Sequence, residues 1–212
     1  MRIISFAEVI KQLPEDQHSF SIKKTNWNNI KEVVKLFDKN DSMNISRSDL
    51  FELGESSEEV SKEFIIKVLM WGYPTGGRGK NIQNALAKID DISQYLTSSK
   101  KNNINEEDLI NGTKLIRGIG LSTLSKFLYF LKIEMKEYPT VILDLRLITM
   151  LRKAGFDELT NLKEITYSKG PKMYYAYLKE MSSISKEIGC SVGQLEMFLF
   201  IFGSNLKEKL ST

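Results

Sequence analysis

Two glycines set between two apolar-periodic stretches constrain this chain more than any other feature. Residues 109–131 read Leu-Ile-Asn-Gly-Thr-Lys-Leu-Ile-Arg-Gly-Ile-Gly-Leu-Ser-Thr-Leu-Ser-Lys-Phe-Leu-Tyr-Phe-Leu. One segment with helical spacing ends at Gly118-Ile119-Gly120, and a second begins at once from Leu121, with Leu124, Phe127, Leu128 and Leu131 at helical intervals. A turn this tight does not accept Cβ-bearing residues at both ends. The expectation is a helix, a hairpin turn and a second helix over about residues 106–133. The free N–H groups of such a turn, with the N-terminus of its second helix, form a seat for a nucleic-acid phosphate. Gly118 and Gly120 would let the backbone approach, and Arg117 and Ser122 would face the phosphate. A dinucleotide fingerprint is excluded, because Thr123 stands where its third glycine belongs.

Helical spacing continues through the rest of the chain. Residues 5–13 and 26–38 read as short amphipathic helices, the second carrying Trp27, Ile30, Val33, Val34 and Phe37 on one face. A short helix from Ser46 stops at Gly54, and a stronger one begins at Ser57 and ends near Trp71-Gly72. Further helices are expected at about 81–96, 144–154, 171–188 and 192–208. No convincing strand pair is visible, and Val141-Ile142-Leu143 reads as a short extended piece without a partner. The predicted fold class is all-α, as two helical lobes around a cleft. Residues 1–55 would form an N-terminal helical segment packed on the core, and residues 56–212 the main domain.

Composition removes several kinds of chemistry. There is one cysteine, Cys190, and one histidine, His18. A thiolate zinc site, an iron–sulfur cluster and an internal disulfide all lack their ligands, so neither metal nor cofactor is expected. His-dependent nucleophilic triads would rest on His18 alone, in a polar N-terminal stretch. A carboxylate, a lysine or a hydroxyl must carry any reaction. Residues 1–70 hold 10 basic and 12 acidic side chains and residues 71–212 hold 20 and 15, an excess that suits a polyanionic partner. No run approaches the roughly 20 apolar residues of a membrane span. The opening Met-Arg-Ile-Ile-Ser-Phe-Ala-Glu turns acidic too early for a signal peptide, so a cytoplasmic location is expected, at the nucleoid in a bacterium.

The glycine-rich loop Tyr73-Pro-Thr-Gly-Gly-Arg-Gly-Lys-Asn81 is not a Walker loop: Pro74 occupies the first-glycine position and Asn81 replaces the magnesium-binding hydroxyl. Two readings fit it: a solvated turn between helices, or a loop whose Arg78 and Lys80 touch a nucleic-acid backbone with Trp71 or Tyr73 near a base. Asp144, flanked by apolar residues, also has two readings. It can be a helix N-cap, or a carboxylate beside the hairpin that stabilises positive charge on a sugar or activates water. The aromatic faces at Tyr174–Tyr177 and Phe198–Phe202 are expected in the core.

Gly118-Ile-Gly-Leu-Ser-Thr followed by Ile142-Leu-Asp-Leu-Arg resembles the helix-hairpin-helix DNA glycosylases, in particular the oxidised-guanine branch and its bacterial members. Trp71-Gly-Tyr-Pro and Gly-Arg-Gly also resemble a loop of that bacterial group. The resemblance implies a monomeric enzyme on double-stranded DNA that flips and excises a damaged or modified base, oxidised guanine above all, with Asp144 as the catalytic aspartate. It places Arg146 at the DNA-facing helix start, and Phe198 and Glu196 near the base pocket. Family members with lyase activity carry a nucleophilic lysine two residues past the second glycine, where this chain has Ser122. Lys126 lies one helical turn further on the same face. If desolvated in the cleft it could act by Schiff-base chemistry; otherwise it contacts phosphate or snorkels. The competing function is a non-catalytic DNA-binding or repair-accessory module, and a role in phage defence is compatible with the same residues.

Overall fold

The computed structural model describes residues 1–77, 80–115, 120–153 and 155–206. Helices dominate, as their spacing predicts. The N-terminal part comprises α1 (Ala7–Lys11), β1 (Ser19–Lys23), the single turn α2 (Lys31–Val34), β2 (Ser42–Ser46) and α3 (Arg47–Glu55). Next come α4 (Lys62–Gly72), α5 (Asn81–Leu86), α6 (Ile89–Asn102), α7 (Glu106–Leu115) and α8 (Gly120–Phe130). A short ribbon, β3 (Glu134–Met135) and β4 (Tyr138–Pro139), leads to α9 (Leu145–Lys153), α10 (Gly170–Ile188) and α11 (Val192–Phe202).

The chief departure from the sequence expectation is a real strand pair. β1 and β2 run antiparallel, with Phe20 opposite Ile45 and Ile22 opposite Met43. Each strand carries only two apolar side chains, at alternate positions, too short a pattern to stand out among helical periodicities. The stretch 26–38 is not one helix but α2 flanked by 3₁₀ turns at Lys24–Trp27 and Lys35–Phe37. The helix expected from Ser57 starts instead at Lys62, because the Ser61 hydroxyl accepts from the Phe64 N–H at 3.1 Å and caps it there. The helix expected at 81–96 is divided into α5 and α6.

α8 lies at the centre. Leu121 and every residue from Thr123 to Phe130 are buried, the all-round burial of a helix enclosed by others. It packs on α3, α4 and α7. Ile22, Trp27, Phe37 and Ile45 from the N-terminal part join the same buried cluster as Phe64, Phe127 and Phe198. Among the described residues no helix is long and apolar enough to cross a membrane.

Among the described residues the extended run before α9 has no strand partner, and side chains meet its backbone groups instead. Tyr174 donates to the Val141 carbonyl at 2.7 Å and accepts from its N–H, Tyr177 donates to the Ile142 carbonyl at 2.8 Å, and the Leu143 N–H donates to Ser125 Oγ at 3.0 Å. Asp144, next in the chain, is thereby fixed to both α8 and α10.

Candidate active site

These restraints deliver Asp144 to the wall of a cavity of about 220 Å³. The cavity is lined by His18, Phe20, Arg47, Trp71, Gly72, Pro74, Lys126, Ile142, Asp144, Glu196 and Phe200. It is smaller than the roughly 300–1,000 Å³ of pockets for drug-sized ligands, and its flat aromatic lining suits a single heterocycle. A larger, shallower groove of about 650 Å³ beside Met43, Asp49 and Lys67 has no aromatic lining and none of the residues singled out in the sequence.

Lys126 projects from the buried helix α8 and is only 6% exposed. Its Nζ donates to the Ser122 carbonyl at 2.9 Å and lies 3.3 Å from Ser122 Oγ. Gly72 makes room for its stem, since a Cβ there would stand 3.2 Å from Lys126 Cδ. Burial lowers the Lys126 pKa from its ordinary value, while Asp144 and Glu196 pull it back up and Arg47 adds to the lowering. Asp144 is half-buried and N-caps α9, its Oδ1 accepting from the Leu147 N–H at 3.0 Å. Asp144 is therefore a helix N-cap, and the cap holds the carboxylate in place on the cavity wall.

A buried ion pair occupies another part of the lining. Arg47 Nη2 reaches Glu196 Oε2 at 2.6 Å, and Nη1 donates to the Tyr129 hydroxyl at 3.0 Å. The Tyr129 hydroxyl in turn donates to Glu15, which also accepts from Ser191. Burial pushes the Glu196 carboxyl up and Arg47 opposes it. Beside the pair, His18 packs edge-on against Phe20 and Trp71, with centroids at 5.0 and 5.6 Å. Burial, and then the nearby Arg47 charge, lower its pKa to about 4, so its ring is neutral at pH 7.

Of the residues singled out in the sequence, Asp144, Lys126, Trp71 and Glu196 meet at this cavity. Tyr73 lines a neighbouring groove, its hydroxyl 2.9 Å from Thr123 Oγ1. Phe198 packs against Phe6 and Phe156 in the core, and Phe200 lines the cavity instead. Arg146 is exposed and sets its guanidinium over the Phe200 ring at 4.6 Å. Lys80 is exposed just before α5. Ser122 receives Lys126, and Gly120 has φ +58°, a conformation that favours glycine. Arg78, Arg117 and Gly118 lie outside the described residues, as do residues 116 and 119 of the expected turn. His18, Phe20 and Arg47 were not anticipated. Alternation in His18-Ser19-Phe20-Ser21-Ile22 would have placed the first two on one strand face, whereas Arg47 has no such signal.

The structure thus places a lysine and an aspartate on one aromatic-lined cavity in a helical protein. The family model described as "Putative 8-oxoguanine DNA glycosylase OGG-like protein" matches residues 14–200, and the chain belongs to that family. It is also similar to the 8-oxoguanine DNA glycosylase/AP lyase of Aquifex aeolicus (strain VF5), with 28% identity over 148 residues. The match covers 69% of this chain and 58% of that protein, so the chain spans less than two thirds of its relative's length. No solved structure matches.

Proposed function

We propose that this chain is a DNA glycosylase that binds duplex DNA as a monomer, extrudes an oxidised-guanine-like base into the cavity and breaks its N-glycosidic bond. The observation that carries the reading is the placement of Lys126 and Asp144 on one cavity with Trp71, Phe20 and Phe200. A base extruded from the stack needs flat partners and a pocket its own size. As the bond from C1′ to the base nitrogen lengthens, positive charge grows on the sugar, and the Asp144 carboxylate stabilises it. Lys126, as the free amine, bonds to C1′ while the bonding pair leaves with the base, which takes up a proton. The new nitrogen loses a proton and O4′ gains one as the C1′–O4′ bond opens, leaving a Schiff base. The duplex would lie across a cleft between two helical lobes, on a hairpin seat formed by Arg117, Gly118, Gly120 and Ser122. Arg78, Lys80 and Arg146 would add backbone contacts. Such an enzyme would act in the cytoplasm on cellular DNA, at the nucleoid in a bacterium.

One observation favours a second reading of Lys126. Its Nζ already donates to the Ser122 carbonyl at 2.9 Å, as an ammonium that supports attack by water would. Borohydride on a lesion duplex separates the two. The amine mechanism gives a covalent protein–DNA species that disappears in Lys126→Gln, and the hydrolytic one gives base release without it. Absence of base release from duplexes with oxidised guanine, other damaged bases or bulky modified pyrimidines would remove the enzymatic reading in favour of a binding module.

A further inference from the structure

His18 contributes a polar group that the chemistry above leaves unused. Among the described residues neither of its ring nitrogens has a hydrogen-bond partner, and Nδ1 is sealed from solvent. Nε2 is the remaining ring nitrogen of a side chain that lines the cavity. The ring is held rather than free. Phe20 and Trp71 pack against it, Phe200 lies 6.3 Å away, and the His18 carbonyl accepts from the Arg47 N–H at 3.0 Å. Orphaned buried N–H groups are rarer than under-satisfied acceptors, so the sealed Nδ1 is the bare nitrogen and the proton sits on Nε2. A neutral ring held in the wall of a base-sized space, with one N–H to offer, suits an acceptor on that base.

We propose that His18 is the specificity-determining residue of this pocket, donating Nε2–H to an exocyclic carbonyl oxygen of the extruded base and so favouring oxo-bearing bases over adenine. The proposal rests on the glycosylase reading for the origin of the base, and its test does not require catalysis. The cavity contains Trp71, so intrinsic fluorescence of the whole protein can be titrated with free 8-oxoguanine and with free adenine. Wild type should bind 8-oxoguanine more tightly than adenine. His18→Phe keeps a flat aromatic ring but has no donor. It should weaken 8-oxoguanine binding about tenfold, the scale of one hydrogen bond left unmade at a buried site, and change adenine binding by less than about twofold. His18→Gln, which returns a donor, should recover part of the loss. Binding to a duplex with a tetrahydrofuran abasic site serves as the folding control and should be unchanged in both variants.

Equal affinity of wild type and His18→Phe for 8-oxoguanine, with the control intact, overturns the proposal. So does an equal loss for both bases. If His18→Phe fails the abasic-duplex control, His18→Gln decides alone: an equal loss of affinity for 8-oxoguanine and adenine in that variant likewise overturns it. Base release from duplexes with unchanged discrimination in His18→Phe would sink the His18 assignment and leave the glycosylase reading standing. Free-base selectivity through His18 without release from any duplex would do the reverse.

Discussion

Removing the Arg47 guanidinium tests how the buried charges around the cavity are balanced. The Arg47 and Glu196 side chains are 1% and 2% exposed and meet at 2.6 Å. Arg47→Met keeps most of the stem and leaves Glu196 without its cation. Glu196 must then stay ionised in a dry site or take up a proton, and the second route caps the penalty. Taking up that proton at pH 7, above the ordinary carboxyl range, costs a few kcal/mol at most. That cap is comparable to the roughly 3–5 kcal/mol expected when one partner of a buried pair is removed. The sign with pH follows from linkage. Burial raises the Glu196 carboxyl even beside Arg47, and without the opposing cation it rises further, so the variant keeps its stability at low pH and loses it as pH rises toward the folded pKa. The deficit relative to the parent should be clearly smaller at pH 5 than at pH 7. Urea unfolding at pH 5 and pH 7 measures this directly, in a His18→Phe background so that imidazole titration does not contribute. At pH 7 a loss of roughly 3 kcal/mol lowers Tm by about 6–12 °C for a chain of this size. An equal deficit at both pH values would mean lost packing against Trp71 and Tyr129, and would refute the charge argument. Arg47→Met with Glu196→Leu should regain most of the loss.

Asp144→Asn should abolish base release while retaining duplex binding, because Asn caps a helix about as well as Asp. Asp144→Ala should cost about 1 kcal/mol of stability in addition, seen in urea unfolding, and equal melting of the two variants would argue against the cap. Borohydride trapping at Lys126 should reach its plateau at lower pH than an ordinary lysine allows, because burial lowers its pKa and the free amine predominates sooner; a plateau only above pH 10 would contradict that. Gly72→Ala brings a methyl to 3.2 Å from Lys126 Cδ and should reduce trapping at least several-fold while shifting Tm by only a few degrees. Unchanged trapping would show that the stem has slack.

What the sequence reveals about this fold follows from how local each signal is. The stripe Phe64, Ile65, Val68 and Leu69 is buried as its spacing requires, and Tyr174, Tyr177, Leu178 and Met181 are buried on α10. Asp144 and Lys126 attract notice because each is a polar side chain in an apolar run that must enter the core. Arg47 offers no such contrast. It follows a Ser cap at a helix start and resembles a surface charge until Tyr129 and Glu196, 82 and 149 residues away, close over it. The exchange of Phe198 for Phe200 on the cavity wall is likewise a matter of rotation about α11, a helix with so much apolar surface that periodicity cannot orient it.

The division of the chain at about residue 55 must be weighed against where the cavity's parts come from. His18, Phe20 and Arg47 lie before that point, and Trp71, Lys126, Asp144, Glu196 and Phe200 lie after it. The family match begins at residue 14 and so includes both sets. Deleting residues 1–55 would remove the only cation hydrogen-bonded to Glu196 among the described residues and uncover the faces against which Ile22, Trp27, Phe37, Ile45 and Leu50 are buried. Losing several such side chains at about 1.5–3 kcal/mol each is comparable to the whole stability of an ordinary domain. A fragment of residues 56–212 should therefore lack a cooperative melting transition and bind neither free base nor abasic duplex. A fragment that melts cooperatively and still prefers 8-oxoguanine would show that the N-terminal hairpin is an addition to a self-sufficient domain, and that the pocket is read from the other side.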